Sequence, residues 1–121
     1  MPPRRRVPVV DGRAAVAAWQ TAGEATQQSD LAMAVRYTLE ELSVVAPGRS
    51  VEVRVPPFGA VQCVAGTTHT RGTPPNVVET DAQTWLAVAT GVLSWDGAWE
   101  AGTLRVSGHR ADLAAYLPLV K

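Results

Sequence analysis

The stretch Thr80-Asp81-Ala82-Gln83-Thr84-Trp85-Leu86-Ala87-Val88-Ala89-Thr90-Gly91-Val92-Leu93-Ser94, continuing past Trp95 and Trp99 to Gly102-Thr103-Leu104-Arg105-Val106-Ser107-Gly108, decides how this chain folds. Its opening residues have the spacing of a capping box. Thr80 caps a helix, Gln83 reaches back, and Asp81 favours the positive end of the helix dipole. The helix is expected to run to about Thr90, with Gly91 placed to close it in the left-handed conformation. Ser94 then starts a short helix that sets Trp95 and Trp99 one turn apart on one face, and Gly102 ends it. Residues 103–107 alternate as a strand with Leu104 and Val106 inward, broken at Gly108.

Outward from that stretch, the segment 76–79 reads as a short strand. Before it, residues 67–75 are polar, carry His69 and Arg71, and end in Pro74-Pro75, which forbids a helix. In Val51-Glu52-Val53-Arg54-Val55, apolar and charged residues alternate, so one strand face is dry and the other wet. Pro56-Pro57-Phe58-Gly59 turns the chain into a returning strand over 60–66. A loop of five residues, 56–60, pairs Val55 with Val61 and Val53 with Cys63, keeping every valine beside an apolar partner. Upstream, Leu31, Val35, Leu39 and Leu42 recur at helical spacing after a cap at Ser29 or Asp30, and Pro47-Gly48 stops that helix. An alanine-rich helix over 13–21, begun by Asp11-Gly12 and ended by Gly23, carries Trp19 as its one large side chain.

Composition bounds the function. A chain of 121 residues is one domain, 1–121, long enough to bury roughly two thirds of its unfolded surface. Charged residues are 18%, below the roughly 25% of an average domain, which favours a compact apolar fold. Eleven acidic and eleven basic residues leave no electrostatic footprint for nucleic acid. Cys63 is the single cysteine, so no internal disulfide forms and a reducing, cytoplasmic location is expected. No apolar run reaches membrane-span length. The arginines at 4–6 precede only Val7-Pro8-Val9-Val10-Asp11, too short for a secretion signal, so residues 1–10 read as an extended, solvated arm.

The run 80–108, with its helix ending in a small residue and glycine, short second helix, glycine, amphipathic strand and further glycine, resembles the signature of the sterol carrier protein (type 2-like) family. The hairpin at 51–66 after a long helix is compatible. The stretch His69-Thr70-Arg71-Gly72-Thr73-Pro74-Pro75-Asn76-Val77-Val78-Glu79 is similar to that of the bacterial sterol carrier orthologues of actinobacteria. The resemblance spans roughly 30–118. It implies an α+β domain: a mainly antiparallel sheet of about five strands, helices packed on one face, and an apolar tunnel between the layers. It also implies a non-catalytic carrier of a fatty acid, acyl-CoA or sterol-like ligand, with no cofactor.

Trp85, Leu86, Trp95, Trp99 and Leu104 are the candidates for lining such a cavity. The ordinary alternative is that the indoles fill the core, as aromatics generally do. A dry cavity of about 300 Å³ would cost roughly 7 kcal/mol at about 24 cal/mol per Å³, which rivals a net stability of roughly 5–15 kcal/mol. A true pocket therefore holds lipid or water, or collapses when empty. His69 and Arg71 are candidates for a polar mouth that meets an anionic head group. The competing reading is a turn held by threonine hydroxyls and proline. His109 reads as a surface turn residue. Cys63, mid-strand on the dry face, reads as inert packing. One cysteine and two histidines give no zinc spacing. The second functional reading is a collapsed carrier fold acting as a protein-interaction or homodimer module through Pro56, Pro57, Phe58 and the arginine-rich arm.

Overall fold

A computed structural model describes residues 5–69, 71–109 and 111–120; residues 1–4 of the expected arm, Thr70 of the polar stretch, Arg110 and Lys121 lie outside the described residues. The first helix, α1, spans Val9–Ala22 and begins four residues before the sequence suggests, because Pro8 sits at its N-cap with a fixed φ and the carbonyl of Pro8 accepts from Gly12 N at 2.9 Å. It buries Gly12, Ala15, Val16 and Trp19, one stripe at helical spacing. A 3-10 turn at Gly23–Ala25 leads to α2, Gln28–Val45. In α2, Val35, Leu39 and Leu42 are buried as the periodicity requires, and Leu31 packs half-buried against them. Neither Ser29 nor Asp30 caps α2 through its side chain; both lie in its first turn.

The described part of the N-terminal arm is docked. One carboxylate oxygen of Glu40 accepts from Arg6 N at 3.0 Å and the other from Val7 N at 3.2 Å, while Glu41 pairs with Arg5. The Arg5 guanidinium also stands 6.0 Å from the centre of the Tyr37 ring. Two adjacent acids on α2 thus bind the segment that the sequence alone left in solvent.

The sheet has four strands among the described residues: β1 Val51–Val55, β2 Gly59–Cys63, β3 Asn76–Glu79 and β4 Arg105–Ser107, in the order β2-β1-β3-β4. β1 is antiparallel to β2 and parallel to β3, and β3 is antiparallel to β4, so the sheet is mixed with antiparallel pairings in the majority. The expected count of about five is corrected to four. The C-terminal segment adds no strand, since Leu119 N and Val120 N both donate to Ala89 O at the end of a helix.

The hairpin also corrects the register. Phe58 N donates to Val55 O at 2.9 Å and closes the turn after three residues, pairing Val53 with Val61 and Val51 with Cys63. The shift from the expected register is two residues, so every side chain keeps its face. Val64, at φ 64°, then turns the chain off the sheet before Ala65 can pair.

On the inner face, Val61, Val53, Val78 and Val106 line up across all four strands. On the outer face the corresponding row is Ala60, Arg54, Glu79 and Arg105, with alternating charges that place Arg105 3.9 Å from Glu79. Arg54 and Arg105 are exposed, so the helices cover one face only. Helix α3, Ala82–Thr90, and the short α4, Trp95–Glu100, complete that layer, followed by a 3-10 turn at Ala114–Tyr116.

Candidate ligand-binding site

Helix α3 is capped one residue later than its sequence suggests. Asp81 Oδ1 accepts from Thr84 N at 2.8 Å, whereas Thr80 is held by the sheet: its N–H donates to Arg54 O and its hydroxyl to Thr103 O at 2.7 Å. Gln83 does not reach back either, because its Oε1 accepts from Trp19 Nε1 at 2.8 Å and ties α3 to α1. Gly91 closes the helix at φ 82°, as expected. Ser94 caps α4, accepting from Gly97 N at 2.9 Å.

These caps set the depth of the indoles. Trp85 and Leu86 have 0% of their surface exposed, Trp95 has 6%, and Trp99 has 55%. Trp85 Nε1 donates to Thr38 Oγ1 at 2.8 Å. A side chain with no accessible area touches no space that would admit a water, and this holds for Val51, Val53, Val55 and Val78 of the sheet as well. The interior next to these side chains is therefore solid, which is how an empty apolar cavity closes to avoid its cost. Leu104 is half-buried against the same core.

Two openings lie at the surface beside α4. One cavity of about 300 Å³ is lined by Trp95, Trp99, Asp96, Val106, His109 and Ala111, among others. A second, of about 280 Å³, is lined by Val88, Leu93, Trp95, Asp96, Leu117 and Pro118, among others. Trp95 and Asp96 border both, so one indole and one carboxylate stand between them. Trp95 and Trp99 share a face, as their spacing requires, and share a cavity.

His69 and Arg71 are placed elsewhere, in a shallow depression with Thr68 and Thr73. There His69 N donates to Thr73 O at 3.0 Å, Gly72 N donates to His69 O at 2.7 Å, and His69 Nδ1 lies 3.1 Å from Thr73 Oγ1. Arg49 reaches across to Gly72 O at 3.3 Å. The turn is held by threonine and backbone. The polar groups beside the tryptophans are instead Asp96, His109 and Asp112. Asp96 was legible from its place in α4, but only the tertiary fold brings His109, Ala111 and Asp112 against that helix.

Cys63 is buried, and burial pushes its thiol up to about 12, which makes it a poor nucleophile at neutral pH. Among the described residues no group of three or more His, Cys, Asp or Glu side chains is placed to hold a metal ion. No helix among them is long and apolar enough to cross a membrane.

A comparison with curated proteins returns no significant match. The profile of a family described as bacterial SCP ortholog does match, over residues 27–119, from the start of α2 to the C-terminal segment whose Leu117 and Pro118 line one of the cavities beside Trp95. With that match covering most of its length, the chain belongs to the bacterial sterol carrier protein ortholog family.

Proposed function

We propose that the chain is a non-catalytic carrier domain that takes up an apolar ligand beside α4 and lodges it between helices and sheet. The observation that carries this reading is the position of Trp95 between two surface cavities. Moving one short helix would join them into a single space within the roughly 300–1,000 Å³ range of ligand pockets. Leaving about half of the Trp99 indole in water forgoes roughly 2–3 kcal/mol of burial, which a greasy ligand would recover. The half-buried Leu104, then Trp85 and Leu86, line the path deeper in, and Trp85 and Leu86 become accessible only as α4 and the C-terminal segment part from α3.

The carboxylates of Asp96 and Asp112 border the opening, so the part of the ligand seated there is not an anion. A sterol-like molecule or the hydrocarbon end of an acyl chain fits that condition. The carrier acts without a cofactor, in the cytoplasm. The homodimer reading has weaker support: Phe58 packs against the core cluster instead of standing free, and Arg5 is engaged by Glu41.

The test is to extract the purified protein with organic solvent, analyse the extract by mass spectrometry, and titrate the delipidated protein with a fluorescent sterol. Enriched neutral lipid, and binding weakened at least about tenfold by Trp95→Ala, are expected. Neither enrichment nor binding, with a stable dimer in sedimentation, would favour the interaction module.

A further inference from the structure

Two of the indoles are satisfied: Trp19 Nε1 donates to Gln83 and Trp85 Nε1 to Thr38. Trp95 Nε1 has no hydrogen-bond partner among the described residues, although only 6% of the Trp95 surface is exposed. No buried side-chain polar atom among those residues lacks a partner, so this N–H belongs to the small part of Trp95 that reaches open space. That space is the pair of cavities the ring borders, and Asp96 borders both as well. An otherwise enclosed side chain thus aims a free donor at whatever occupies them.

The charges around that donor have one dominant sign. Asp96, in the first turn of α4, accepts no hydrogen bond and meets no cation among the described residues. Asp112 commits Oδ1 to Ala114 N at 2.8 Å and keeps Oδ2 without a protein partner among the same residues. His109 adds at most one positive charge, so the described lining stays net negative. Trp99 stands in the same cavity with 55% of its surface exposed. A ligand that covered two carboxylates without a positive charge would strip their water and return little. A cation pairs with them and gains the face of an indole as well.

We propose that this opening selects an amphiphilic amine that carries a hydroxyl beside its ammonium group. The ammonium sits among Asp96, Asp112 and the Trp99 ring, and the hydroxyl oxygen accepts from Trp95 Nε1. The hydrocarbon tail runs past Trp95 towards Leu93 and Leu117, half-buried in the second cavity. An ammonium alone has no lone pair and leaves the indole donor unanswered. A diol answers the donor and leaves the carboxylates uncompensated. This proposal rests on the carrier reading and names the class of ligand that its opening takes.

The test is titration of 2-aminododecan-1-ol, dodecylamine and dodecane-1,2-diol, each below its micellar concentration, into uniformly ¹⁵N-labelled protein, followed by the indole signals. The amino alcohol is expected to shift the Trp95 and Trp99 indoles and to bind at least about tenfold more tightly than the diol, and severalfold more tightly than dodecylamine. Asp96→Asn and Asp112→Asn keep the side-chain shape. Each is expected to weaken the amino alcohol by about tenfold and to leave the diol unchanged. Equal binding of amino alcohol and diol, equal binding of amino alcohol and dodecylamine, or an affinity indifferent to Asp96→Asn would each overturn the proposed ligand class. If the diol and a fluorescent sterol bind beside the indoles as tightly as the amino alcohol, only the preference for an amine falls. If none of these probes binds, the carrier reading falls with it.

Discussion

The indole N–H of Trp85 donates to the hydroxyl of Thr38 across 2.8 Å, joining α3 to α2 where both side chains have no exposed surface. The Thr38 hydroxyl in turn lies 2.8 Å from Ala34 O and 3.0 Å from Val35 O, so it donates to α2 and accepts from α3. Among the described residues no buried side-chain polar atom lacks a partner, and this bond is what keeps Trp85 from being an exception. Thr38→Val preserves the shape and strands the indole N–H. A loss of about 1–3 kcal/mol is expected, read as a lower urea midpoint with an unchanged slope. Trp85→Phe alone would be costly through its lost volume, but combining it with Thr38→Val should cost less than the two losses added.

Cys63 gives the chain a pH dependence at the alkaline end. Its folded thiol is raised by burial to about 12 from an ordinary value of 9.0. Above pH 9 the unfolded chain has released this proton while the folded one retains it, so the unfolded state binds fewer protons and stability falls as pH rises. The contribution is whole below pH 9 and is lost progressively between about pH 9 and about 12, with a slope of at most about 1.4 kcal/mol per pH unit. Urea midpoints measured across that window should fall less steeply in Cys63→Ala than in the parent. A thiol reagent at neutral pH should leave the native protein unmodified and label it once unfolded.

The cap of α3 makes a sharper distinction. Asp81 accepts from both the N–H and the hydroxyl of Thr84, at 2.8 and 2.9 Å. Asp81→Ala is therefore expected to cost about 1 kcal/mol, and Asp81→Asn a few tenths. Gln83→Ala acts at a different place, because it frees the Trp19 indole from α3. Its signature is a shift in the Trp19 indole resonance together with a loss of about 1 kcal/mol. If Gln83→Ala instead frayed the first turn of α3, with Trp19 unmoved, the sequence-based capping box would be the correct description after all.

That cap shows how far the sequence was readable. The helix over 82–90, its left-handed Gly91 and the Ser94 cap all follow from local residue chemistry, and the structure has them. Thr80 was misread because its N–H and hydroxyl are claimed by Arg54 and Thr103, partners distant in the chain. The hairpin was read on the correct faces and in the wrong register, since alternation fixes parity but leaves the turn length open. The parallel pairing of β1 with β3 and the docking of Arg5 and Arg6 on Glu40 and Glu41 carry no local signal at all. For the candidate site, spacing put Trp95 and Trp99 on one face. It could not show that Trp85 is sealed while Trp99 stands half in water, because that depends on which segment covers each helix.

The close approach of α1 and α2 turns on Gly12. In an exposed helix, glycine to alanine stabilises by about 1 kcal/mol through the unfolded chain's lost freedom. Here an added Cβ would stand 2.2 Å from Cδ1 and Cγ of Tyr37 and 2.7 Å from its Cβ. Those atoms lie at the root of the ring and cannot swing aside as a flexible tip would, so the helices must separate. Gly12→Ala is therefore expected to destabilise by about 1–3 kcal/mol despite its better helix propensity. The cause is separable. In a Tyr37→Ala background the same substitution has room, and its penalty should vanish or reverse sign, measured as a coupling energy from four urea midpoints. An equal penalty in both backgrounds would show that the contact between Gly12 and Tyr37 does not set the spacing of the two helices.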